Sequence, residues 1–226
     1  PLNTMKQNIK GGNGVTLDLY LTPAAFRRLA YGIDFNYTIY GYDKSSQQYI
    51  LDDGSQAPMD IIVNNSFTNV LAGARYYILK GEIKTINPYI AIKAGYGWYS
   101  TMLNIYDPDD NDHCEPVDQD QLYKDGTFIV SGGGGVHWDL SSVFKKLPTN
   151  RLLFNGSATI TLGGRVSYMN TDAPTHQHPD SGGTEVMAEF LNTETQVVHK
   201  HHVGNVYSSY AEMMDVRAGF LWRIGQ

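Results

Sequence analysis

Hydrophobic and polar residues alternate with a period of two along much of this chain. The clearest stretch runs from Ile61 to Thr101, where Val70 to Ile78 and Ile90 to Trp98 carry apolar or aromatic side chains at every second position. Small, polar or charged residues occupy the positions between them. This alternation predicts two β-strands, joined by a turn within residues 80–87.

The two strands of this hairpin are unusually long. Strands in soluble proteins run to about 5–6 residues, whereas a strand that crosses a membrane needs about 9–11 residues, with an apolar outer face and a polar inner face. The 61–101 hairpin therefore predicts part of a transmembrane β-barrel, with its turn on the periplasmic side.

The same pattern predicts seven strands in the whole chain, and their connections alternate in length. Outer-membrane barrels have this asymmetry, with short periplasmic turns and long external loops. We therefore predict a single domain over residues 1–226, an all-β, up-and-down antiparallel transmembrane β-barrel. The remaining strands are Val15–Leu21, Leu29–Tyr42, Phe128–Asp139, Arg151–Met169 and Tyr210–Ile224; the short connections are 22–28, 80–87 and 140–150, and the long ones are 43–60, 102–126 and 170–205. Within the longest loop, Glu185 to Val198 is a candidate short helix.

Single-chain bacterial barrels have an even number of strands. Because Val15–Leu21 leads into a short turn, an eighth strand running outward should precede it. Residues 1–10 are too few and too polar to supply all of that strand. We expect that this sequence lacks most of it, or that Leu2 to Lys10 forms only its outer end. The chain begins at Pro1 without a signal-peptide pattern, so we expect a mature product whose signal peptide has been removed.

Composition narrows the function classes. A net charge of −6, a pI near 5.6 and 42% hydrophobic residues exclude a disordered chain and a basic nucleic-acid binder. No run approaches the roughly 18 consecutive apolar residues of a transmembrane helix. The mean hydropathy of −0.33 is compatible with a barrel, since barrel strands place only alternate residues in lipid. Cys114 is the single cysteine and cannot form an internal disulfide.

If the apolar face of each strand contacts lipid, charged residues of both signs lie on the opposite face, in the barrel interior. Eight strands enclose a space just wide enough to be filled by side chains, and an unpaired buried charge costs several kcal/mol. We therefore expect a paired charge network in the lumen, with an ion-conducting path as the alternative. The network comprises Asp18, Asp34, Arg75, Lys93, Asp139, Arg165, Asp215, Arg217 and Arg223.

Outward aromatic residues gather near the expected strand ends. Aromatic girdles at the two lipid interfaces of a membrane barrel have this distribution. An aromatic core of a soluble β-protein is the alternative, although such a core gives no reason for the residues to gather there. The residues are Tyr31, Tyr76, Trp98, Trp138, Tyr168 and Trp222.

The acidic loop 102–126 contains a partial calcium motif. Asp107, Asp109 and Asn111 match positions 1, 3 and 5 of a calcium-binding loop, but Asp112 stands where glycine is required and Asp118 where glutamate is required. The alternatives are a Ca²⁺ or other divalent ion held in an external loop and a solvated acidic loop without metal.

The longest loop is rich in histidine. Imidazoles at such spacing bind zinc, copper or nickel in other proteins, but a His-rich tract by itself fixes no geometry. The candidate ligands are His176, His178, His199, His201 and His202.

Catalytic motifs are weak in this sequence. No G-x-S-x-G segment is present, and the four glycines at 132–135 lack the Lys-Ser/Thr of a phosphate-binding loop. Glycine at mid-strand is better explained by a tight bend or by passage of bulky lumen side chains. His137 and Asp139 lie two residues apart on one strand face, where a polar plug is a simpler interpretation than a catalytic dyad. We therefore predict no enzyme activity.

Three segments give the chain a resemblance to known proteins: Gly-Ala-Arg-Tyr-Tyr at 73–77, Pro-Tyr-Ile-Ala-Ile-Lys-Ala-Gly-Tyr-Gly at 88–97 and Val-Arg-Ala-Gly-Phe-Leu-Trp-Arg at 216–223. The chain resembles the small eight-stranded outer-membrane barrels of the OmpA/OmpX type, and most closely the "outer membrane protein β-barrel domain" proteins of Bacteroidota. The resemblance covers nearly all of residues 14–225. It departs at the C-terminus, where such barrels often end on an aromatic residue and this chain ends at Gln226.

The resemblance implies residence in the bacterial outer membrane, in contact with lipid and lipopolysaccharide. It implies a structural role or an accessory subunit that binds other outer-membrane proteins through the barrel wall or the long external loops. Two alternatives come from other classes: a barrel enzyme acting on lipid or peptide at the rim, and a soluble lipocalin-like ligand binder. No cofactor other than a loop-bound divalent ion is expected.

Overall fold

A computed structural model describes residues 1–50, 56–79, 85–107, 116, 118–144, 151–171, 183–191 and 198–224. The chain is an all-β protein, as predicted, and within these residues it has one short helix, α1 (Met5–Asn8), and two 3-10 turns at Ala24–Phe26 and Leu140–Ser142. Its eight strands are β1 (Asn13–Leu21), β2 (Leu29–Ile50), β3 (Gln56–Tyr77), β4 (Ile86–Tyr106), β5 (Asp118–Asp139), β6 (Leu152–Asn170), β7 (Thr184–Leu191) and β8 (Val198–Trp222).

All eight strands belong to one antiparallel up-and-down sheet in the order β1-β2-β3-β4-β5-β6-β8-β7. The sheet curls, because side chains from β3, β4, β5, β6 and β8 meet in one buried cluster. We call the space on this inner face the lumen. Among the described strands, β1 and β7 form the two edges of the sheet, so the sheet is not closed.

The eighth strand is not where the sequence placed it. It is β7, which lies inside the expected loop 170–205 and pairs with the outer part of β8, from Glu185↔Asn205 to Leu191↔Val198. The expected helix at Glu185 to Val198 is therefore wrong, because cross-strand pairing overrides the weak helical pattern. Leu2 to Lys10 does not form the outer end of a strand either, because this segment contains α1.

The expected long loops are largely strand. β2 and β3 remain paired from Asp43↔Val63 to Ile50↔Gln56, within the expected loop 43–60. β4 and β5 likewise extend into 102–126. Residues 43–50 and 118–126 are mostly polar and mask the strand pattern, but antiparallel strands gain stability from cross-strand side-chain pairs and tolerate polar faces. An example is the 2.7 Å contact between Lys44 Nζ and the Asp60 carboxylate.

The distribution of polarity is reversed relative to a soluble protein. On the inner face, Asp34, Arg75 and Lys93 have 0%, 2% and 6% of their surface exposed, whereas on the outer face Val216 and Phe220 are 76% and 74% exposed. The predicted assignment of faces therefore holds for β1 to β4 and for the lower half of β8, which is the half that ends at Trp222. No helix among the described residues is long and apolar enough to cross a membrane.

The face assignment fails in the outer half of β6. A β-bulge shifts the pairing of β6 with β8 between Leu162 and Arg165. Beyond a bulge the alternation changes phase, so Arg165 is exposed and donates from Nε to Ser208 Oγ at 3.2 Å. Tyr168, expected on the outer face, is instead fully buried in the lumen. The two consecutive glycines at 163–164 mark this bulge in the sequence.

The lumen is filled by side chains in successive groups. Near the short turns, Ala30, Tyr77 and Tyr89 pack together. Farther toward the long hairpins, Met5 and Ile9 from the N-terminal segment pack against residues of five strands; the cluster is Met5, Ile9, Phe67, Leu71, Tyr99, Ile129, Val166, Tyr168 and Ala211. Between the extended hairpins, a third group contains Ile61, Val63 and Leu103.

Candidate functional site

The charged lumen residues of the first four strands meet in one cluster. Arg75 Nη2 lies 2.5 Å from the Asp18 carboxylate and 3.7 Å from the Asp34 carboxylate, and Lys93 Nζ forms an ion pair with Asp34. These four residues come from β1, β2, β3 and β4, so the ion pairs link neighbouring and next-neighbouring strands. Two positive and two negative charges leave this group neutral, as burial in a narrow interior requires.

Glycine at position 73 makes room for the Lys93 side chain. Gly73 pairs directly with Lys93 on β4 and with Gly32 on β2. A Cβ atom on Gly73 would lie 2.7 Å from Lys93 Cγ, closer than real side-chain contacts. The absence of side chains at Gly73 and Gly32 therefore lets Lys93 lie across β3 and reach Asp34.

Aromatic rings hold the Arg75 guanidinium from two sides. The guanidinium carbon is 3.6 Å from the centroid of the Tyr20 ring and 5.3 Å from that of Tyr89. Stacking of this kind is attractive because the ring face is electronegative. Tyr89 OH donates to Asn155 Oδ1 at 2.8 Å. Neither tyrosine is among the site residues predicted from the sequence. Both lie an even number of positions from a charged inner-face residue, Tyr20 from Asp18 and Tyr89 from Lys93, and this spacing indicates that they share the inner face.

The four-glycine run of β5, residues 132–135, lies beside the Tyr89 ring that contacts Arg75. A Cβ on Gly135 would lie 2.5 Å from the Tyr89 hydroxyl, and one on Gly133 would collide with the β6 backbone, whereas one on Gly132 would meet nothing within 4 Å. Gly135 therefore leaves room for the Tyr89 side chain, which agrees with one of the two explanations the sequence offers, whereas Gly133 allows the close approach of the β6 backbone.

His137 lies against the same aromatic residues. Its ring is 4.8 Å from Tyr89 and 5.6 Å from Tyr77, between centroids, and is 2% exposed. Neither ring nitrogen has a hydrogen-bond partner among the described residues. The Asp139 carboxylate accepts hydrogen bonds from Ser141 N at 3.0 Å and Ser141 Oγ at 2.8 Å, which caps the following 3-10 turn. The engagement of Asp139 with Ser141 favours a structural role over the catalytic dyad.

The remaining basic residues of the predicted network are Arg217 on β8, Arg223 just after it, and Arg165 on β6. On β8, Arg217 contacts Asp215 with two hydrogen bonds, Nε at 2.7 Å and Nη2 at 3.0 Å. Arg223 is half-buried at the end of the sheet, and its backbone N–H donates to Arg151 O at 2.9 Å. Arg165 lies outside the lumen because of the β6 bulge, so its assignment to the network is wrong.

The extended hairpin of β2 and β3 has its own ion pair. Lys44 and Asp60 contact each other outside the lumen cluster, and Ser46 Oγ also donates to Asp60. The hydrogen bond to Asp60 and its negative charge raise the pKa of Lys44 above its ordinary value of 10.5.

The candidate metal ligands lie mostly outside the described residues. Asp107 directly follows β4, but Asp109, Asn111, His176 and His178 fall in segments that the structure does not describe. The backbone of β8 contains the other three histidines, in register with β7 through His199↔Phe190, His201↔Ala188 and His202↔Met187. Within the described part of the chain, no group of three His, Cys, Asp or Glu side chains is placed to hold a metal ion.

The described site can stabilise a barrel-like interior. Arg75 and Lys93 form ion pairs with Asp18 and Asp34, and Tyr20 stacks on the Arg75 guanidinium. Such an interior fixes the relative positions of β1 to β4. A search with models of protein families, with curated proteins and with solved structures returns no match to this chain.

Proposed function

We propose that this protein is an integral outer-membrane β-barrel protein with a structural or accessory-subunit role and no enzymatic activity. The observation that carries the proposal is the apolar outer face of the sheet. Soluble monomers rarely expose contiguous apolar patches of more than a few hundred Å². Large exposed apolar residues occupy almost every outward position on three stretches: β1, the half of β2 that begins at Leu29, and the lower half of β8. These residues include Val15, Leu17, Leu19, Leu21, Tyr31, Ile33, Phe35, Met214, Val216 and Phe220.

Exposed aromatic residues near the short turns support a membrane interface there. Tyr31, Tyr76, Trp138 and Trp222 are 41% to 59% exposed and lie within two residues of a strand end, at the end of the sheet where the short turns are. The Arg28 guanidinium donates to Tyr76 OH at 3.0 Å. An arginine beside an interfacial tyrosine is typical of the boundary between hydrocarbon and lipid headgroups.

The extended hairpins support a role in binding a partner. β2 and β3 each have 22 residues. At about 3.3 Å per residue, such strands are roughly twice as long as a hydrocarbon core of about 30 Å requires. With the short turns at the periplasmic side, the surplus extends beyond the outer surface. A barrel does not need ordered strands outside the bilayer to span the membrane. The extended strands therefore favour a surface that contacts another outer-membrane protein.

Membrane residence is tested by fractionation of cells that produce the protein. We expect it in the outer-membrane fraction, resistant to alkaline carbonate and released by detergent, with the change in gel mobility on heating that folded barrels show. Extraction by carbonate without detergent would contradict the proposal and favour the soluble ligand binder.

The accessory role is tested with a shortened hairpin. Asp43 pairs with Val63, so residues 44–62 can be replaced by a two-residue Asn-Gly turn without changing the register. We expect the shortened variant to remain in the membrane and to lose partners that co-purify in mild detergent. The matched control replaces the exposed Lys44 by alanine within the full-length hairpin. Equal recovery of partners with the shortened and control variants would exclude this hairpin as the contact surface.

A further inference from the structure

We infer that residues 1–12, here called the plug segment, form a removable plug that seals the lumen on the side of the extended hairpins. Opening the plug would give small hydrated ions access to the charged cluster of Asp18, Asp34, Arg75 and Lys93. The inference rests on the geometry of the lumen alone, so its failure would leave the proposed membrane location untouched.

The plug segment fills the lumen with two apolar side chains. Met5 and Ile9 are 1% and 6% exposed and belong to the largest buried cluster among the described residues. Tyr99 OH lies 3.8 Å from the Met5 sulfur and 3.5 Å from that of Met213. Met5 therefore packs against Tyr99 of β4, in the same buried cluster as Ala211 of β8.

Polar contacts anchor the plug segment to the last strands of the sheet. The Leu2 N–H donates to Glu212 O at 2.8 Å, and the Asn3 side-chain amide donates to the Glu212 carboxylate. Asn8 Nδ2 donates to Tyr168 OH at 3.1 Å. The segment then leads into β1, so it connects the two sides of the open sheet as well as filling the space between them.

The plug segment depends on docking for its structure. Its helix α1 has four residues, and its N-cap makes no side-chain hydrogen bond. Isolated helices shorter than about 12 residues are not stable in water. The opposite face is exposed and polar, with Lys6 and Gln7 in solvent, and Gly11 and Gly12 precede β1. The segment therefore has two states, docked and ordered or released and unfolded.

Release would uncover unpaired polar groups on the inner face. Below the plug, the buried donors Arg75 Nε and Nη1 and the acceptor Asp18 Oδ1 lack hydrogen-bond partners among the described residues, and so do the two ring nitrogens of His137, one a donor and one an acceptor in the neutral imidazole. Buried groups of both kinds are satisfied by water when it can reach them. Charged walls with free donors and acceptors suit small hydrated ions better than an apolar ligand.

Cysteine labelling tests the seal. Ser131 lies on the inner face of β5, is 2% exposed and accepts a hydrogen bond from Thr161. We use Ser131→Cys with Cys114→Ser as the parent and follow its reaction with a small membrane-impermeant thiol reagent. Adding Met5→Asp, which places a charge in the apolar cluster, should increase the labelling rate at least tenfold. Gln7→Asp adds the same charge to the exposed face of the segment and is the matched control, expected to label at the parent rate.

Three results would overturn the inference: rapid labelling of the parent, equal acceleration by Gln7→Asp, or slow labelling of a Met5→Asp variant that retains the gel mobility of the folded protein. If Met5→Asp fails to fold, hydrogen exchange of the unaltered protein decides. We expect the amides of residues 2–9 to exchange at least tenfold faster than the paired amides of β6 and β8. Exchange of both sets at one common rate would mean that the segment opens only when the whole protein unfolds, and would refute a removable plug.

Discussion

Lys93 on β4 forms a buried ion pair with Asp34 on β2, across the intervening strand β3. The two strands share no backbone hydrogen bonds, so this pair and the contact of Arg75 with both Asp18 and Asp34 hold the inner face together independently of the sheet hydrogen bonds. Removing one partner of a buried pair is costlier than removing both, because the remaining charge stays buried without compensation.

Replacing Lys93 by methionine should therefore destabilise the protein by about 3 kcal/mol, measured by urea unfolding in lipid vesicles. The double variant Lys93→Met, Asp34→Leu should recover most of that loss. A double variant no more stable than the single one would mean that the ion pair itself, and not the uncompensated Asp34, dominates the effect.

Gly73 should be intolerant of a side chain. A Cβ at this position approaches Lys93 Cγ at 2.7 Å and the Ile92 carbonyl oxygen at 2.8 Å, and the backbone atom cannot move aside. We expect Gly73→Ala to cost about 1–3 kcal/mol in free energy of unfolding. Gly132→Ala is the control, since its Cβ would meet no atom within 4 Å. Equal stability of the two variants would contradict the account of how Lys93 reaches Asp34.

A charge on the outer wall distinguishes lipid from water. Val216 lies near the middle of the apolar band on β8 and is 76% exposed, and Val143, just after a 3-10 turn, is 55% exposed. If the wall contacts lipid, Val216→Arg should cost about 2–4 kcal/mol in vesicles, whereas Val143→Arg should change stability by less than about 0.5 kcal/mol. In a soluble sheet both substitutions would be mild.

The β6 bulge predicts opposite outcomes for two neighbouring residues. Tyr168 is fully buried, with its ring 5.8 Å from that of Tyr99, so Tyr168→Ala should cost about 3–5 kcal/mol. Arg165 is exposed, and Arg165→Ala should cost less than about 0.5 kcal/mol. Denaturant unfolding of both variants is the measurement. The unshifted alternation expected from sequence would give the reverse order.

Much of the fold could be predicted from the period-two pattern, because in a strand with one buried face the buried and the exposed side chains alternate along the sequence. Asp34, Arg75 and Lys93 could be placed on one face in this way. The β6 bulge could not be placed, since a glycine pair permits a shift of phase without requiring it. β7 was missed because Glu185 to Val198 carries a weak helical pattern, and the long hairpins were missed because many of their residues are polar. In both cases the cross-strand partners that make these segments strands are not visible in the local sequence.

Within the site, sequence alternation assigned charges to the interior but not their partners. The stacking of Arg75 on Tyr20 depends on how tightly the sheet curls, which no local pattern reports. The cap that Asp139 provides for the 3-10 turn depends on the two residues that follow it, and the period-two pattern does not extend into a turn. Pairing of Arg217 with Asp215 on its own strand is a local arrangement that the sequence permits but does not distinguish from cross-strand pairs.

The hydrogen bond from Leu2 to Glu212 joins residues at opposite ends of the described chain. From β1 to β6, each strand pairs with the next strand along the chain, so that part of the sheet can grow hairpin by hairpin from local contacts. The Leu2–Glu212 contact has no such local precursor, because its two residues lie far apart in the sequence, so we expect it to form after β8 is in place. Docking of the plug segment is then a late step of assembly, and a docked segment indicates that β8 has joined the sheet.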